Sequence, residues 1–389
     1  MDALSGIVDS RVDPSDGSAA VAEIDVSALA HNLAIIRSHL LPGADVMAIV
    51  KANAYGHGLP HTALHLERMG IRRFGVATPH EALRLRRGGV GGEVLLLSPV
   101  YEPAVLRELA DAAVTLTVPG PAAVSAIADA RPSARVTVHV KIDTGMGRIG
   151  ATTPSDAARL AVAAARTPGV ELTGTFTHLH SAEDEDRRPT LGQLERFHDA
   201  VAAIAEAGVD PGVRHAANSA ALFAYPDHQL DLVRPGIVLY GYYPGPATIG
   251  LAPGLRQAMR LTAPVSFVKR VEAGTTVSYG ASWRAERETV VATVRAGYAD
   301  GYRRSLSGRA AVGFAGRRVQ VIGRVCMDQF MIDATDIDVA VGDRVVLWGP
   351  GGPSAEELGE SIGTVSYEML TGVAARVGRR YVSSEASAS

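Results

Sequence analysis

The sequence predicts an α/β chain, with an N-terminal (β/α)8 TIM-type barrel followed by a mostly β domain. Two observations carry that prediction. Over roughly the first 240 residues, short apolar strands alternate with helical stretches eight times, and eight β-α units fit a closed parallel barrel better than an open sheet. After about Leu251 the helical period fades, and apolar runs are separated by glycine and acidic turns instead.

Taken in order, residues 1–19 and 383–389 are rich in serine, alanine, glycine and acid and read as frayed tails. Residues 20–26 contain Ala22-Glu23-Ile24-Asp25-Val26, which alternates like a strand before any barrel strand is due. They are therefore expected to pair with the second domain. The barrel is expected over 27–250, with strands at Val46–Val50, Phe74–Ala77, Val94–Leu97, Val114–Val118, Val136–Ile142, Leu172–Thr177, Arg214–Ala217 and Ile237–Tyr240. Between strands two and three, Pro79 suits a first helical turn and Gly88 its stop. The β domain is expected over 251–382, with strands at Val265–Val271, Val290–Val294, Arg318–Ile322, Phe330–Ile332 and Arg344–Leu347.

Composition narrows the function. A net charge of −3, with basic doublets scattered along the chain, gives no phosphate track, so nucleic acid is excluded as a partner. No apolar run approaches the length a bilayer needs, and the first twenty residues lack the apolar core of a signal peptide. One cysteine, Cys326, excludes an intrachain disulfide and points to a reducing cytoplasm.

Only three of the 38 lysines and arginines are lysine: Lys51, Lys141 and Lys269. Arginine stays protonated, whereas a lysine amine with a lowered pKa can form Schiff bases. Lys51 ends the first strand, and strand ends of such a barrel gather in one mouth. Lys141 lies near the end of strand five, ahead of Asp143 and Arg148; His178 and His180 follow strand six; Asn218 and Ser219 follow strand seven. Arg234 precedes strand eight as drawn. An amine, guanidinium groups, an imidazole and a hydroxyl there suggest a site for an anionic small molecule. Gly145-x-Gly147-x-x-Gly150, with Glu171 about twenty residues on, offers a rival reading as a nicotinamide site, but Lys141 and Asp143 fit poorly in a buried dinucleotide strand. His57, His61 and His65 read as a solvated helix face, and His178 and His180 point to opposite faces, so no metal is expected. Cys326 reads as a small buried hydrophobe.

At Ala48-Ile49-Val50-Lys51-Ala52-Asn53-Ala54-Tyr55-Gly56-His57-Gly58, and along nearly the whole chain from Glu23 to Tyr381, the sequence resembles the alanine racemases. Further matches run in the family's order: Lys141 with Gly145–Gly150, Thr177-His178, Ala217-Asn218-Ser219, Arg234 with Gly236-Ile237, Tyr279, Tyr298, Cys326-Met327-Asp328 and Tyr367-Glu368. The resemblance implies a homodimer whose active sites are shared between subunits, acting on L-alanine and D-alanine to supply D-alanine for peptidoglycan. Lys51 would hold pyridoxal 5′-phosphate through its amine and take the α-proton of D-alanine, and Tyr279 of the other chain would take that of L-alanine. Tyr55, Ser219, Tyr367, Gly236 and Ile237 would hold the phosphate, and Arg234 would face the pyridine nitrogen. Arg148, Met327 and Tyr298 would bind substrate. Lys141 (carbamylated in family members), His178, Asn218, Cys326 and Asp328 would support them. A pyridoxal-phosphate decarboxylase of basic amino acids shares this architecture, but Tyr279 and Cys326-Met327-Asp328 favour the racemase. A lone-barrel cofactor carrier would lack the second domain. The chain departs from the family at Arg376-Val377-Gly378-Arg379, where many members carry proline in place of Gly378, which loosens the closing segment.

Overall fold

The computed structural model describes residues 19–383, so the expected tails, apart from Ala19 and Ser383, lie outside the described residues. The chain divides into two compact units, one of residues 30–54 and 59–255, the other of residues up to Leu29, Tyr55–Gly58 and 256 onward. The second unit begins with β1, Val21–Asp25.

The first unit is the barrel. Its strands are β2 (Asp45–Ile49), β3 (Arg73–Val76), β4 (Glu93–Leu96), β5 (Val114–Val118), β6 (Val136–Lys141), β7 (Val170–Phe176), β8 (Val213–His215) and β9 (Leu232–Val233). They pair in parallel in chain order, with β9 returning to β2. The ring closes through Asp231 N–H to the Arg214 carbonyl (3.1 Å) and Arg234 N–H to the Ala217 carbonyl (2.9 Å). Strands covered on both faces are buried throughout, and β5 is buried at every position; its two threonines bond to the Thr137 hydroxyl (2.9 Å) and the Leu96 carbonyl (2.7 Å). The helix at Pro79–Arg87 starts and stops at the expected Pro79 and Gly88; Thr78 and Glu81 form a capping box at its start.

The eighth strand corrects the expectation. It is β9, and Ile237–Tyr240 is a 3-10 helix instead. A short apolar run carries no period that separates strand from helix, and Pro235 just before it cannot extend a ladder. Arg234 therefore follows its strand and stands at the mouth with the other strand ends.

In the second unit the strands are β10 (Met259–Val271), β11 (Thr276–Val277), β12 (Trp283–Arg284), β13 (Thr289–Val294), β14 (Ala311–Phe314), β15 (Arg317–Ile322), β16 (Phe330–Asp333), β17 (Arg344–Trp348) and β18 (Gly378–Val382). The main sheet runs β13-β16-β15-β14-β17-β10-β1-β18, and β10 also pairs with β13. β1 lies antiparallel to β10 and parallel to β18. Tyr302 stacks on Phe330 (4.6 Å) in a core that also buries Trp348. The hairpin β11–β12, strands β14 and β18, and the helices Ala355–Ser361 and Ser366–Thr371 were not foreseen. Each is short enough for turn residues to mask its period.

Candidate active site

Lys51 lies two residues beyond β2, where the backbone turns sharply. Ala52, Asn53, Ala54 and Tyr55 all take left-handed conformations, with φ of 53°, 55°, 54° and 51°. Each costs an L-residue ~1–2 kcal/mol, so the turn persists only where its surroundings over-determine it. Ala54 N–H donates to the Val50 carbonyl (2.8 Å) and Leu59 N–H to Asn53 Oδ1 (2.9 Å). Asn53 N–H donates to Glu81 Oε1 (3.2 Å), while Glu81 Oε2 caps Ala77 and Thr78. Glu81 was missed in the sequence, where its only signal was the capping-box spacing. Burial and the Arg148 and Arg234 cations lower the Lys51 pKa, and Glu81 opposes them.

Arg234 is buried and held from several sides. Its Nη2 donates to the carbonyls of Thr177 (2.7 Å) and Ala216 (3.0 Å) and lies 3.4 Å from His178 Nδ1. Its Nη1 lies 3.0 Å from His215 Nδ1, and His215 Nε2 lies 3.0 Å from His139 Nδ1. A guanidinium only donates, so His215 accepts from Arg234 and passes its own N–H to His139. Burial, with nearby cations, holds both histidines neutral; the His139 pKa falls to about 3. Burial and Arg148 lower the Arg234 pKa to about 9, still a cation at neutral pH. His139 and His215 were also missed, because nothing in a strand's sequence marks which polar residue turns inward to a partner.

Lys141 is buried at the end of β6, its Nζ 5.4 Å from the Phe176 ring centre, and donates to the Ile142 carbonyl. Burial and Arg234 lower its pKa to about 7. Beyond it, the Asp143 carboxylate accepts from the N–H groups of Gly145 (3.0 Å), Gly147 (3.0 Å) and Arg148 (2.8 Å). The loop folds back so tightly that a Cβ on Gly150 would lie 2.5 Å from Asp143 N. No helix opens at these glycines; the next begins at Pro154, and Glu171 pairs with Arg135. The dinucleotide reading therefore lacks its phosphate-binding helix start.

After β8, Ser219 Oγ accepts from Gly236 N–H (2.8 Å), and Ile237 begins the 3-10 helix. Asn218 caps the helix Ser219–Ala224 with bonds of 3.1 and 3.0 Å and reaches the Leu179 carbonyl. His178 is half-buried and His180 exposed. The barrel thus brings together Lys51, Lys141, Arg148, His178, Asn218, Ser219, Arg234, Gly236 and Ile237. His57 departs from expectation: it is buried, it precedes the helix Leu59–Arg68, and its Nδ1 lies 2.9 Å from the Tyr55 carbonyl.

The remaining residues expected from the sequence belong to the second unit. Tyr55 is buried there, its ring 6.0 Å from that of Tyr367. Tyr279 is 69% exposed, Met327 53% and Tyr298 42%. Their loops are knit by backbone bonds from Tyr298 to Cys326 (3.1 Å) and from Ala299 to Met327 (3.0 Å). Cys326 is half-buried rather than a core residue, with Sγ against the Arg324 carbonyl. Asp328 pairs with Arg376 (2.7 Å).

Family models match both units: alanine racemase, N-terminal domain, over residues 24–244, and alanine racemase, C-terminal domain, over 258–381. The chain is 42% identical to an alanine racemase of Thermobifida fusca over 94% of this chain and 98% of that one. It is 40% identical to one from Desulforamulus reducens over 93% and 98%. Among solved structures it resembles the alanine racemase of Clostridium difficile 630, with TM-score 0.90 and 33% identity, covering 94% and 96% of the two chains. It also resembles that of D-cycloserine-producing Streptomyces lavendulae, with TM-score 0.86 and 38% identity over 94% and 97%.

Proposed function

The chain belongs to the alanine racemase family and interconverts L-alanine and D-alanine; from that premise we propose that its two bases are Lys51 and, from a second copy, Tyr279. A racemase needs a proton acceptor on each face of the α-carbon. The observation that carries the reading is Lys51 at a barrel strand end, on a strained turn, half-buried among cations that favour its neutral amine.

The donor set fits pyridoxal 5′-phosphate. When bound, that group supplies an aldehyde for a lysine amine and a conjugated ring that takes up the charge left by the α-proton. Ser219 already accepts from Gly236, so its hydroxyl proton is free for a phosphate oxygen, next to the Ile237 amide. The phenols of Tyr55 and Tyr367 would add donors. Arg234, with its orientation fixed by Thr177, Ala216 and His215, would meet the pyridine nitrogen as a donor that keeps its proton. Such a contact would weaken the ring's electron sink and disfavour transamination. His178 supports Arg234.

Arg148 would hold the substrate carboxylate, and Tyr298 and the Met327 backbone would close the pocket. A Lys141 amine that is neutral above about pH 7 can add carbon dioxide, becoming an anion that braces Arg148. Tyr279 stands in solvent in one chain, which supports a homodimer with sites completed across subunits. We place the enzyme in the cytoplasm, where one cysteine suits a reducing compartment, as a source of D-alanine for peptidoglycan.

Purified protein in deuterated water with L- or D-alanine should lose optical rotation as α-deuterium enters. Absence of both in yellow, folded protein overturns the activity.

A further inference from the structure

The motif Arg376-Val377-Gly378-Arg379 has no part in the assignment above, yet its two arginines reach two different parts of the proposed machinery. Arg379 is 3% exposed. Its Nε donates to the Gly56 carbonyl (3.0 Å), and its other nitrogens donate to the carbonyls of Val373 (2.8 Å), Ala374 (2.7 Å) and Val377 (2.6 Å). Two residues on, the Tyr381 hydroxyl reaches the carbonyls of His57 (2.9 Å) and Gly58 (3.2 Å). The grip is close enough to require glycine. A Cβ on Gly58 would lie 2.1 Å from the Tyr381 hydroxyl, and one on Gly56 2.1 Å from the Leu370 carbonyl. These contacts hold the chain directly after the left-handed turn that follows Lys51.

Arg376 points to other loops. It forms a fork on Asp300 (2.7 and 2.9 Å) and reaches Asp328 (2.7 Å). Asp300 in turn accepts from Gly297 N–H (2.8 Å), so both loops, carrying Tyr298 and Met327, are tied to one guanidinium. The segment is rooted in the sheet, because β18 begins at Gly378, in register with Val21 of β1. The glycine that was expected to loosen this segment instead opens a paired strand.

We propose that Arg376–Tyr381 is a positioning brace with two arms: Arg379 and Tyr381 set the turn behind the cofactor lysine, and Arg376 sets the substrate loops. Because those loops would complete the partner's site in the proposed homodimer, one chain's closing segment serves both sites of the dimer. The brace rests on that reading of Lys51, Tyr298 and Met327. It predicts a division that general destabilisation would not produce.

The test titrates pyridoxal 5′-phosphate by visible absorbance into cofactor-free dimer and measures kcat and KM for alanine at saturating cofactor. Arg379→Met should weaken cofactor binding roughly tenfold or more, as expected for losing charged hydrogen bonds, while the alanine KM moves less than about threefold. Arg376→Met should do the reverse, raising the alanine KM roughly tenfold with cofactor binding within about threefold. Should Arg379→Met not fold, Tyr381→Phe reads the same arm, with a loss of about threefold or more in cofactor affinity. Variants that shift both quantities together, or Arg379→Met and Tyr381→Phe titrating like the parent, overturn the brace. Borohydride trapping on the parent is the control for its premise: failure to label Lys51 sinks the assignment, whereas a labelled parent with unaltered variants sinks only the brace.

Discussion

At the barrel mouth, Lys141 and Arg234 are buried and Lys51 is half-buried, and burial with neighbouring cations lowers the pKa of all three. In the β unit the group proposed as its counterpart, Tyr279, is 69% exposed, like the exposed Met327 and Tyr298. The barrel can crowd like charges because strands fix their stems and backbone carbonyls absorb their donors, as at Arg234. An exposed phenol has no such setting within its own unit, and in the proposed homodimer a second chain would supply one. One half of the proposed site is preorganised by folding; the other would become an active-site surface only on the proposed assembly.

The sharpest break between the halves is Lys51→Ala, which would remove the proposed cofactor attachment and one of the two proposed bases together. Racemisation should fall by more than about 10⁴-fold, and borohydride should no longer fix a pyridoxyl group on the chain. A label on Lys141 or Lys269 of the parent protein would reassign the lysine.

Tyr279→Phe removes only the base proposed in the β unit and should cost about 10²–10⁴-fold in both directions, since a two-base turnover would use both. Proton exchange separates them: D-alanine should still exchange its α-proton with solvent through Lys51, while L-alanine should not. Equal residual exchange of the two enantiomers in a folded, cofactor-loaded variant would remove Tyr279 from the pair.

Co-expressing Lys51→Ala and Tyr279→Phe chains tests whether the halves meet across subunits. Random pairing should restore about a quarter of the wild-type sites, because each heterodimer holds one intact site. Inactive heterodimers from folded parents would place both bases in one chain.

The smallest effect concerns Lys141. Its pKa is depressed to about 7, so the neutral amine dominates above that pH and the ammonium below it. A carbamate should therefore form with ¹³C-bicarbonate at pH 8, give a carbon signal absent from Lys141→Ala, and disappear as pH falls through about 7. Lys141→Ala should raise the alanine KM roughly tenfold. A signal that persists in the variant would assign the carbamate to another amine.

Much of this was legible in the chain. Strand β5 was placed to the residue because β-branched valine and threonine fill four of its five positions, with no turn residue inside the run, and the helix at Pro79–Arg87 announced both ends through Pro79 and Gly88. The lysine at a strand end stood out because arginine carries nearly every other cation. The eighth strand, with only two residues, offered too little period, and the neighbouring apolar run drew the assignment away from it.

Sequence by itself determined the alternation of strands and helices, the change of pattern after Leu251 and the residue types able to carry the chemistry, because these are local properties of side-chain size, polarity and backbone preference. Only the tertiary structure decided that Arg234 stands at the mouth, that His57 is buried, that Glu81 supports the left-handed turn and that His215 and His139 continue inward from Arg234. Those facts depend on contacts between residues far apart in the chain, 76 positions in the bond between His139 and His215. Such contacts form only when the barrel closes and low-dielectric burial turns ordinary titratable side chains into shifted ones.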